Sequence, residues 1–413
     1  MLLYLVFIVR KVSSVLVRVL FGMNREHPYW NPLEEIVVKV IAFGARNGSS
    51  IGPRLVIHSY ARIQRIVAGI TKRVHVEDVH MGLNSIEGLD GVWITLDGVK
   101  LKDHVPKMLV FYIHGGGYNV GCSSMYVNAH GRILHKLADE HNIHDIGILS
   151  IEYPKAPEVK YPLNVEFLKK AFDYVVYDLG IPQNQIIVAG DSAGGQLAIN
   201  VCHYANDMNA ALGGVGSPLA GTILISPWVN HSCESDSHDE QLHTDFIAGR
   251  SLLADFSNGY CDSSEMACSD PHISALCHEY LSFLPPTWLS YGTREVFHDD
   301  LLLFKENLEL HGNPILWLHR GNDCPHIYPL LYPLFKKDSS SAHSDMVLLN
   351  VFEGKDAIRI SNFSLFANSL HIYLLPYTFN LLFPTNVSKM VDLLDIFFQE
   401  FPFLRTKCKW NKI

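Results

Sequence analysis

The chain has 413 residues, with 33 basic and 42 acidic side chains and a formal net charge of −9. This balance, without any block of basic residues, argues against nucleic-acid binding, which needs clustered lysine and arginine at the phosphates. The eight cysteines are scattered and form no C-x-x-C pair, so neither a zinc site nor a disulfide scaffold is expected.

Residues 1–70 are predicted to form membrane-seeking and cap helices. Arg10 and Arg18 interrupt the apolar stretch 1–23, so no run reaches the roughly 18–20 residues of a spanning helix. Arg10, Ser14 and Arg18 share one helical face, and the opposite face is apolar. This pattern predicts an amphipathic helix lying on a membrane surface. The alternative is a helix packed on the protein's own cap.

Residues 71–413 are predicted to form one α/β domain, because strand and helix patterns alternate from about residue 72 to residue 335. Such alternation favours a doubly wound sheet. The predicted strands cover residues 91–95, 108–113, 146–153, 186–189, 222–226, 285–292 and 314–319. The predicted helices cover residues 164–179, 196–206, 301–310 and 391–401.

A glycine-rich loop, His114-Gly-Gly-Gly-Tyr118, follows the strand 108–113. Three successive glycines let the backbone turn its amides toward one point without side-chain obstruction. We expect the N–H groups of Gly115 and Gly116 to stabilise an oxyanion. His114 is expected to brace the loop rather than to act as a base, because in this arrangement the base follows the nucleophile along the chain.

A second motif, Gly190-Asp-Ser-Ala-Gly194, lies between the strand 186–189 and a helix. It matches the G-x-S-x-G nucleophile elbow, a sharp turn that exposes a serine hydroxyl. Ser192 is therefore the predicted nucleophile, and the N–H of Ala193 at the helix N-terminus is the third predicted oxyanion donor. Asp191 is a supporting residue.

The acid and the base of a triad should follow the serine in that order. After the strand 285–292, Glu295 is the predicted acid, with Asp299 and Asp300 as alternatives that could instead cap the following helix. His326 is the predicted base, because it lies in the loop after the last strand. His319 is the competing histidine, but it falls inside that strand.

These motifs resemble the hormone-sensitive-lipase-like branch of the α/β-hydrolases, and within it the fungal steryl acetyl hydrolases. The matching residues are His114–Tyr118, 153–158 with 161–162, 190–195, 225–228, 270–274 and 291–295. The resemblance covers about residues 70 to 335. It implies an α/β-hydrolase fold, in which a mostly parallel eight-stranded sheet carries helices on both faces and a helical cap.

The resemblance also implies where the cap and the acid lie. The segment of about residues 229–280 shows no strand pattern and would form the cap insertion together with the N-terminal helices. Glu295 stands where the family pattern D-x-L-x-D has its first aspartate, which orients the histidine, and Asp299 occupies the last position. The apolar segment of about residues 346–384 matches no family feature. It is predicted to be a second membrane-seeking lid element, an insertion, or an error in the gene model.

The predicted function is that of a serine hydrolase that cleaves carboxylic esters and deacetylates a lipid or sterol acetate. The alternatives are an arylformamidase-like amidase and a non-catalytic ligand receptor on the same fold. Neither a metal nor an organic cofactor is expected. The expected partners are a small lipophilic ester and, through residues 1–23, a membrane surface. The expected location is the endoplasmic reticulum membrane, with the cytoplasm or a lipid-droplet surface as alternatives.

Overall fold

The computed structural model describes residues 51–71, 74–83, 89–247, 249–261, 269–313 and 316–331, with isolated positions between 10 and 42. The apolar segment 346–384 and the predicted helix 391–401 lie outside the described residues. Of the stretch 1–23, only Arg10, Ser13, Ser14 and Arg18 are described, and all four are helical. In the part of the chain that is described, no helix is both long and apolar enough to cross a membrane.

Strands and helices alternate along the described chain. The strands are β1 (His75–Val79), β2 (Gly91–Thr95), β3 (Met108–Ile113), β4 (Ile146–Ile151), β5 (Ile186–Asp191), β6 (Gly221–Ile225), β7 (Thr287–Gly292) and β8 (Leu316–Gly321). The helices are α1 (Ile51–Thr71), α2 (Val127–His141), α3 (Leu163–Asp173), α4 (Ala193–Ala211), α5 (Ser237–Glu240), α6 (Arg250–Tyr260), α7 (His298–Leu310) and α8 (Tyr328–Leu331). Short 3-10 turns cover Gln183–Gln185 and Ala275–Cys277.

The eight strands form one sheet in the order β1-β2-β4-β3-β5-β6-β7-β8. β2 pairs antiparallel with β1 and with β4, and every other neighbouring pair is parallel. The predicted α/β-hydrolase fold with a mostly parallel eight-stranded sheet is therefore confirmed. Since β3 and β5 are neighbours in the middle of the sheet, their carboxyl ends bring the two glycine-containing motifs side by side.

The central strands are buried on both faces, which explains their continuous apolar runs. In β3, Leu109, Phe111 and Ile113 belong to one hydrophobic cluster, while Val110 and Tyr112 belong to a second cluster. Successive side chains of a strand point to opposite faces, so the two clusters are the two layers between the sheet and its helices. Full burial of each such side chain contributes roughly 1.5–3 kcal/mol.

Several boundaries differ from their predicted positions. The predicted helix 164–179 divides into α3 and a π-helical turn, Tyr174–Asp178. The helix at the elbow begins earlier and ends later than predicted, at Ala193 and Ala211. No strand was predicted at β1, because His75–Val79 is a polar edge strand with one buried residue and lacks the apolar pattern of the inner strands.

The N-terminal helix α1 is joined to the loops above the sheet through Arg54. Its Nε donates to the backbone oxygen of Asn119 at 2.7 Å. Its two terminal nitrogens bind the carboxylate oxygens of Glu158 at 2.7 and 2.9 Å, and one of them also donates to the carbonyl of Ala156. Arg54 thus fixes α1 against the loop that follows the glycine-rich motif. The predicted division into residues 1–70 and 71–413, and the cap limits 229–280, stay predictions.

Candidate active site

Ser192 lies in a sharp turn between β5 and α4. Its backbone has φ 53° and ψ −126°, a conformation that non-glycine residues rarely adopt. The turn requires small residues around it: a Cβ on Gly190 would lie 2.3 Å from the Gly194 oxygen, and a Cβ on Gly194 would lie 2.2 Å from the Ile113 oxygen. The two glycines of the motif are therefore needed for the close approach of β3, β5 and α4.

Backbone hydrogen bonds hold this turn on three sides. The Ser192 N–H donates to Ile225 O at 3.0 Å, at the end of β6. The Ser192 carbonyl accepts hydrogen bonds from the N–H groups of Gly195 at 3.0 Å and Trp228 at 2.9 Å. The serine is thus fixed relative to the end of β6 and to the first turn of α4. The N-terminus of α4 directly follows it and supplies a positive dipole end.

The structure contradicts one of the three predicted oxyanion donors. The N–H of Gly115 donates to Asp191 Oδ1 at 3.0 Å, so it is already used within the protein. The N–H groups of Gly116, Gly117 and Ala193 have no acceptor among the described residues. Gly117, which was not predicted, therefore replaces Gly115 in the candidate oxyanion hole. It belongs to the same glycine run, but sequence alone could not show which amide Asp191 occupies.

Asp191 joins the glycine-rich loop to the elbow. Besides the Gly115 N–H, it accepts hydrogen bonds from the hydroxyls of Tyr112 at 2.7 Å and Tyr126 at 3.1 Å. Burial raises the pKa of Asp191 to about 6, while these three donors stabilise its ionised form. The predicted supporting role of Asp191 thus corresponds to a carboxylate that positions the loop.

His114 is the first residue of the glycine-rich loop and is fully buried. Its ring stacks on Tyr153 with centroids 4.5 Å apart, and its Nδ1 lies 2.8 Å from the Gly115 carbonyl. Burial lowers the pKa of His114 to about 4, so the ring is neutral at pH 7. These contacts agree with the loop-bracing role predicted for it.

Glu295 lies in the turn after β7 and is fully buried. Its Oε2 accepts a hydrogen bond from Ser226 Oγ at 2.6 Å, and this same Ser226 oxygen accepts the N–H of Ile327 at 3.1 Å. Ser226 therefore connects the predicted acid to the residue next to the predicted base. Burial raises the pKa of Glu295, and the Ser226 hydroxyl opposes that shift.

His326 lies in the loop after β8, 2% exposed, with Nδ1 3.5 Å from Glu295 Oε2. Within the described residues neither of its ring nitrogens has a hydrogen-bond partner, so no hydrogen bond joins it to Ser192. Hydrogen bonds between catalytic groups are often long until substrate binds. Burial lowers the pKa of His326 to about 4, while the Asp245 and Asp191 carboxylates oppose that shift. The imidazole is therefore neutral at pH 7, as a general base requires.

The alternative acids are bonded to other residues. Asp299 Oδ2 accepts the N–H of Ser237 at 2.9 Å. Asp300 Oδ1 accepts hydrogen bonds from Asn230 at 2.9 Å and from the Ser235 hydroxyl, and its Oδ2 lies 3.3 Å from His238 Nε2. Both carboxylates thus connect α7 to the segment between β6 and β7, so Glu295 is the carboxylate that the structure brings to His326.

The segment between β6 and β7 covers the glycine-rich loop through α6. The Tyr260 ring stacks on Tyr118 with centroids 3.7 Å apart, and Tyr118 Oη lies 3.1 Å from His231 Nε2. A Cβ on Gly117 would lie 2.2 Å from the Phe256 ring, so this glycine lets α6 approach the candidate oxyanion hole. Sequence reasoning found neither these contacts nor the buried Asp245, because nothing in the local pattern of the segment marks them.

No described group of three histidine, cysteine, aspartate or glutamate side chains is arranged to hold a metal ion. The site contains a serine, a histidine, carboxylates and backbone amides without a protein acceptor among the described residues. Together these groups can activate a hydroxyl and stabilise a negatively charged oxygen beside it.

Two bacterial enzymes are similar in sequence to part of this chain. An acetyl-hydrolase of Streptomyces hygroscopicus is 28% identical over 50% of this chain and 63% of its own length. An esterase of Acinetobacter venetianus is 28% identical over 49% of this chain and 61% of its own length. The chain thus matches less than two thirds of either relative.

Solved structures show the same fold. An esterase of Pyrobaculum calidifontis has a TM-score of 0.61 at 23% identity, covering 83% of this chain and 99% of that one. A hormone-sensitive lipase from a metagenome library has a TM-score of 0.57 at 20% identity, covering 82% and 98%. The family model described as alpha/beta hydrolase fold matches residues 110–330, more than half of the chain. The chain therefore belongs to the α/β-hydrolase family that its motifs predicted.

Proposed function

We propose that this protein is a serine hydrolase that cleaves carboxylic esters through an acyl-serine intermediate. The observation that carries the proposal is the position of Ser192, in a strained turn beside the unpaired N–H groups of Gly116, Gly117 and Ala193. A serine hydroxyl next to several free amide donors is suited to attack a carbonyl whose oxygen becomes negative. The acetyl-hydrolase and esterase relatives support the same reaction.

The reaction has two halves that use the same groups. Ser192 Oγ attacks the carbonyl carbon while His326 takes its proton, and the three amides bind the resulting oxyanion. The bond to the alcohol then breaks, and His326 gives its proton to the leaving oxygen. In the second half, His326 takes a proton from a water molecule, whose oxygen attacks the acyl carbon. The bond to Ser192 Oγ then breaks, the carboxylic acid leaves, and His326 returns the proton to Ser192.

Glu295 stabilises the positive charge that His326 carries during each half. Its buried carboxylate lies on the Nδ1 side of the ring, so Nε2 is left to exchange protons with Ser192. Because burial destabilises the isolated carboxylate, a nearby imidazolium offsets that cost when it forms. This arrangement favours an enzyme over a ligand receptor that needs no base.

The proposed substrate is a lipid or sterol acetate. The Streptomyces relative is named an acetyl-hydrolase, and a further relative from Aspergillus parasiticus, 23% identical over 54% of this chain, is named a versiconal hemiacetal acetate esterase. Buried aromatic rings of Tyr118, Trp228 and Tyr260 lie beside the site. Such a substrate dissolves in membranes, which supports a membrane-surface location through residues 1–23, at the endoplasmic reticulum or a lipid droplet.

Hydrolysis assays test this proposal. We expect turnover of p-nitrophenyl acetate and of a sterol acetate, weaker turnover of long-chain esters, and loss of at least about 10³-fold in kcat/KM in Ser192→Ala. The matched control is Ser290→Ala, a buried serine in β7, which β6 separates from β5. Undiminished turnover by Ser192→Ala would overturn the function. Faster turnover of an N-formyl aromatic amine than of any ester would replace the ester with an amide substrate.

A further inference from the structure

A buried carboxylate in the loop between α5 and α6 contacts the turn that carries the acid. Asp245 is 1% exposed, and its Oδ2 accepts the N–H of Val296 at 2.8 Å. Its Oδ1 accepts the N–H groups of Phe246 at 2.6 Å and Ile247 at 3.4 Å. A buried carboxylate that accepts several backbone N–H groups stabilises the conformation of the loops that contain those groups. Here one of the donors belongs to the residue that follows Glu295.

The preceding residue holds the other side of the same turn. Thr244 Oγ1 lies within hydrogen-bond distance of the Arg294 carbonyl oxygen at 3.1 Å and of Gln241 Oε1 at 2.8 Å, so its one hydroxyl proton serves both acceptors. Arg294 and Val296 are the two chain neighbours of Glu295, so Thr244 and Asp245 fix the backbone on both sides of it. The direction in which the Glu295 carboxylate points depends on this backbone.

The following residue contacts the base. The Phe246 ring meets the His326 ring edge-on with centroids 5.6 Å apart, and Phe297 packs on His326 at 5.0 Å. Three consecutive residues, 244–246, therefore contact the acid turn and the histidine together. The same segment continues into α6, which lies against the glycine-rich loop.

Asp245 differs from Glu295 in its contacts. Both Asp245 oxygens are occupied by backbone N–H groups, whereas Glu295 Oε2 lies 3.5 Å from His326 Nδ1. Asp245 is thus unsuited to hold the imidazole directly. Glu295 Oε2 lies 3.5 Å from the His326 ring, and the charges of Asp191 at the end of β5 and Asp245 in the α5–α6 loop raise the His326 pKa against the effect of burial.

We propose that Asp245 is a positioning residue that fixes the Glu295 turn and keeps a negative charge beside His326. Through Asp245, the segment between β6 and β7, which covers the glycine-rich loop, also sets the geometry of Glu295 and His326. The inference rests on the ester hydrolase function proposed above and adds a residue to it. Its charge favours the imidazolium that forms in the transition state, because an opposite charge nearby stabilises a cation.

The test is Asp245→Asn, which keeps the shape but loses the charge and one acceptor. We expect kcat for p-nitrophenyl acetate to fall on the order of 10- to 100-fold, with KM changed less than about threefold, because a small displacement of a catalytic group affects the chemical step. The His326 pKa, followed by the ring NMR signals in a Ser192→Ala background, should fall, since a neighbouring negative charge is removed.

Two further variants keep the test decisive. Asp239→Asn removes an exposed carboxylate of α5 that pairs with Arg250, and should leave kcat and the His326 pKa unchanged. If Asp245→Asn does not fold, Thr244→Val loosens the same turn without altering charge, and should lower kcat without moving the His326 pKa. The proposal is overturned if Asp245→Asn folds and leaves both kcat and the His326 pKa unchanged. If only Thr244→Val folds, a wild-type kcat in that variant overturns it. The NMR measurement of the His326 pKa does not depend on turnover. Failure of the ester hydrolase function is therefore distinguished from failure of this inference, because it would appear as activity remaining in Ser192→Ala.

Discussion

The nucleophile side and the acid–base side of the site are built differently. On the nucleophile side, Ser192 and the glycine-rich loop are fixed by the backbone ends of adjacent strands and by Asp191. On the acid–base side, Glu295 and His326 come from separate loops, connected by Ser226 and Asp245. The first side is arranged by short-range geometry, whereas the second depends on side-chain bonds between distant segments.

This difference also appears in the hydrogen bonds. The backbone N–H and carbonyl groups of Ser192 are both bonded, while neither ring nitrogen of His326 has a partner within the described residues. The backbone of the nucleophile is therefore held by hydrogen bonds, whereas the His326 ring is held by its packing against Phe246 and Phe297. Substitutions on the two sides should have different consequences.

The largest expected effect is at the base. His326→Asn should lower kcat/KM on the order of 10⁴-fold or more, because the asparagine amide cannot take the serine proton. His319→Asn is the matched control, since this ring lies in β8 and stacks on Trp288 of β7 with centroids 6.1 Å apart. It should retain at least about a tenth of the wild-type kcat/KM. Equal losses in the two variants would remove His326 from its role.

The next effect is at the acid. Glu295→Gln should lower kcat on the order of 10³-fold, because the amide no longer stabilises the imidazolium. Asp299→Asn should have an effect below about tenfold, since its carboxylate bonds to Ser237 instead. Both are measured by steady-state hydrolysis of p-nitrophenyl acetate. The reverse order of effects would transfer the acid role to Asp299.

A smaller effect is expected where the nucleophile side is positioned. Asp191→Asn should lower kcat about 10- to 100-fold, because three donors lose their common charged acceptor and the glycine-rich loop shifts. Tyr126→Phe removes one of these bonds and should cost less than about fivefold. A wild-type kcat in Asp191→Asn would show that the loop is positioned without this carboxylate.

The smallest expected effect concerns stability alone. His130 is buried against the Tyr112 ring, with centroids 4.4 Å apart, and burial lowers its pKa to about 3. The folded protein therefore binds fewer protons than the unfolded chain between about pH 3 and pH 6.5, so the free energy of unfolding falls as pH is lowered through this window.

Replacing His130 by Phe removes this titration. Between pH 7.5 and pH 5, wild type should lose about 2 kcal/mol more unfolding free energy than His130→Phe, measured by urea unfolding. kcat at pH 7.5 should change little, because His130 touches the site only through Tyr112 and Tyr126. Parallel losses in both proteins would mean that His130 is not held neutral.

The sequence predicts the nucleophile side better than the acid–base side. Gly190, Ser192 and Gly194 form a local motif whose backbone geometry leaves few alternatives, and the apolar strands around them predict the sheet. The amide of Gly115 was misassigned, because its occupation depends on Asp191, a residue distant in the chain. Contacts of this kind leave no periodic signal.

The acid–base side shows the same limit more strongly. Glu295 and His326 follow from their places after β7 and β8, but Ser226 and Asp245 act through bonds across about 70 and 50 residues of chain. Asp245 lies in a polar segment without a strand or helix pattern, so sequence offers no reason to separate it from the neighbouring acids. Only its burial and its contacts show a role.

Covalent capture by a fluorophosphonate tests whether Ser192 is a nucleophile activated by His326. Intact-mass and peptide mass spectrometry should show one adduct per chain in the wild type, on the peptide containing Ser192. His326→Asn should react at least about 100-fold more slowly, and Ser192→Ala should gain no adduct. An adduct on another residue, or full labelling of Ser192→Ala, would contradict the account.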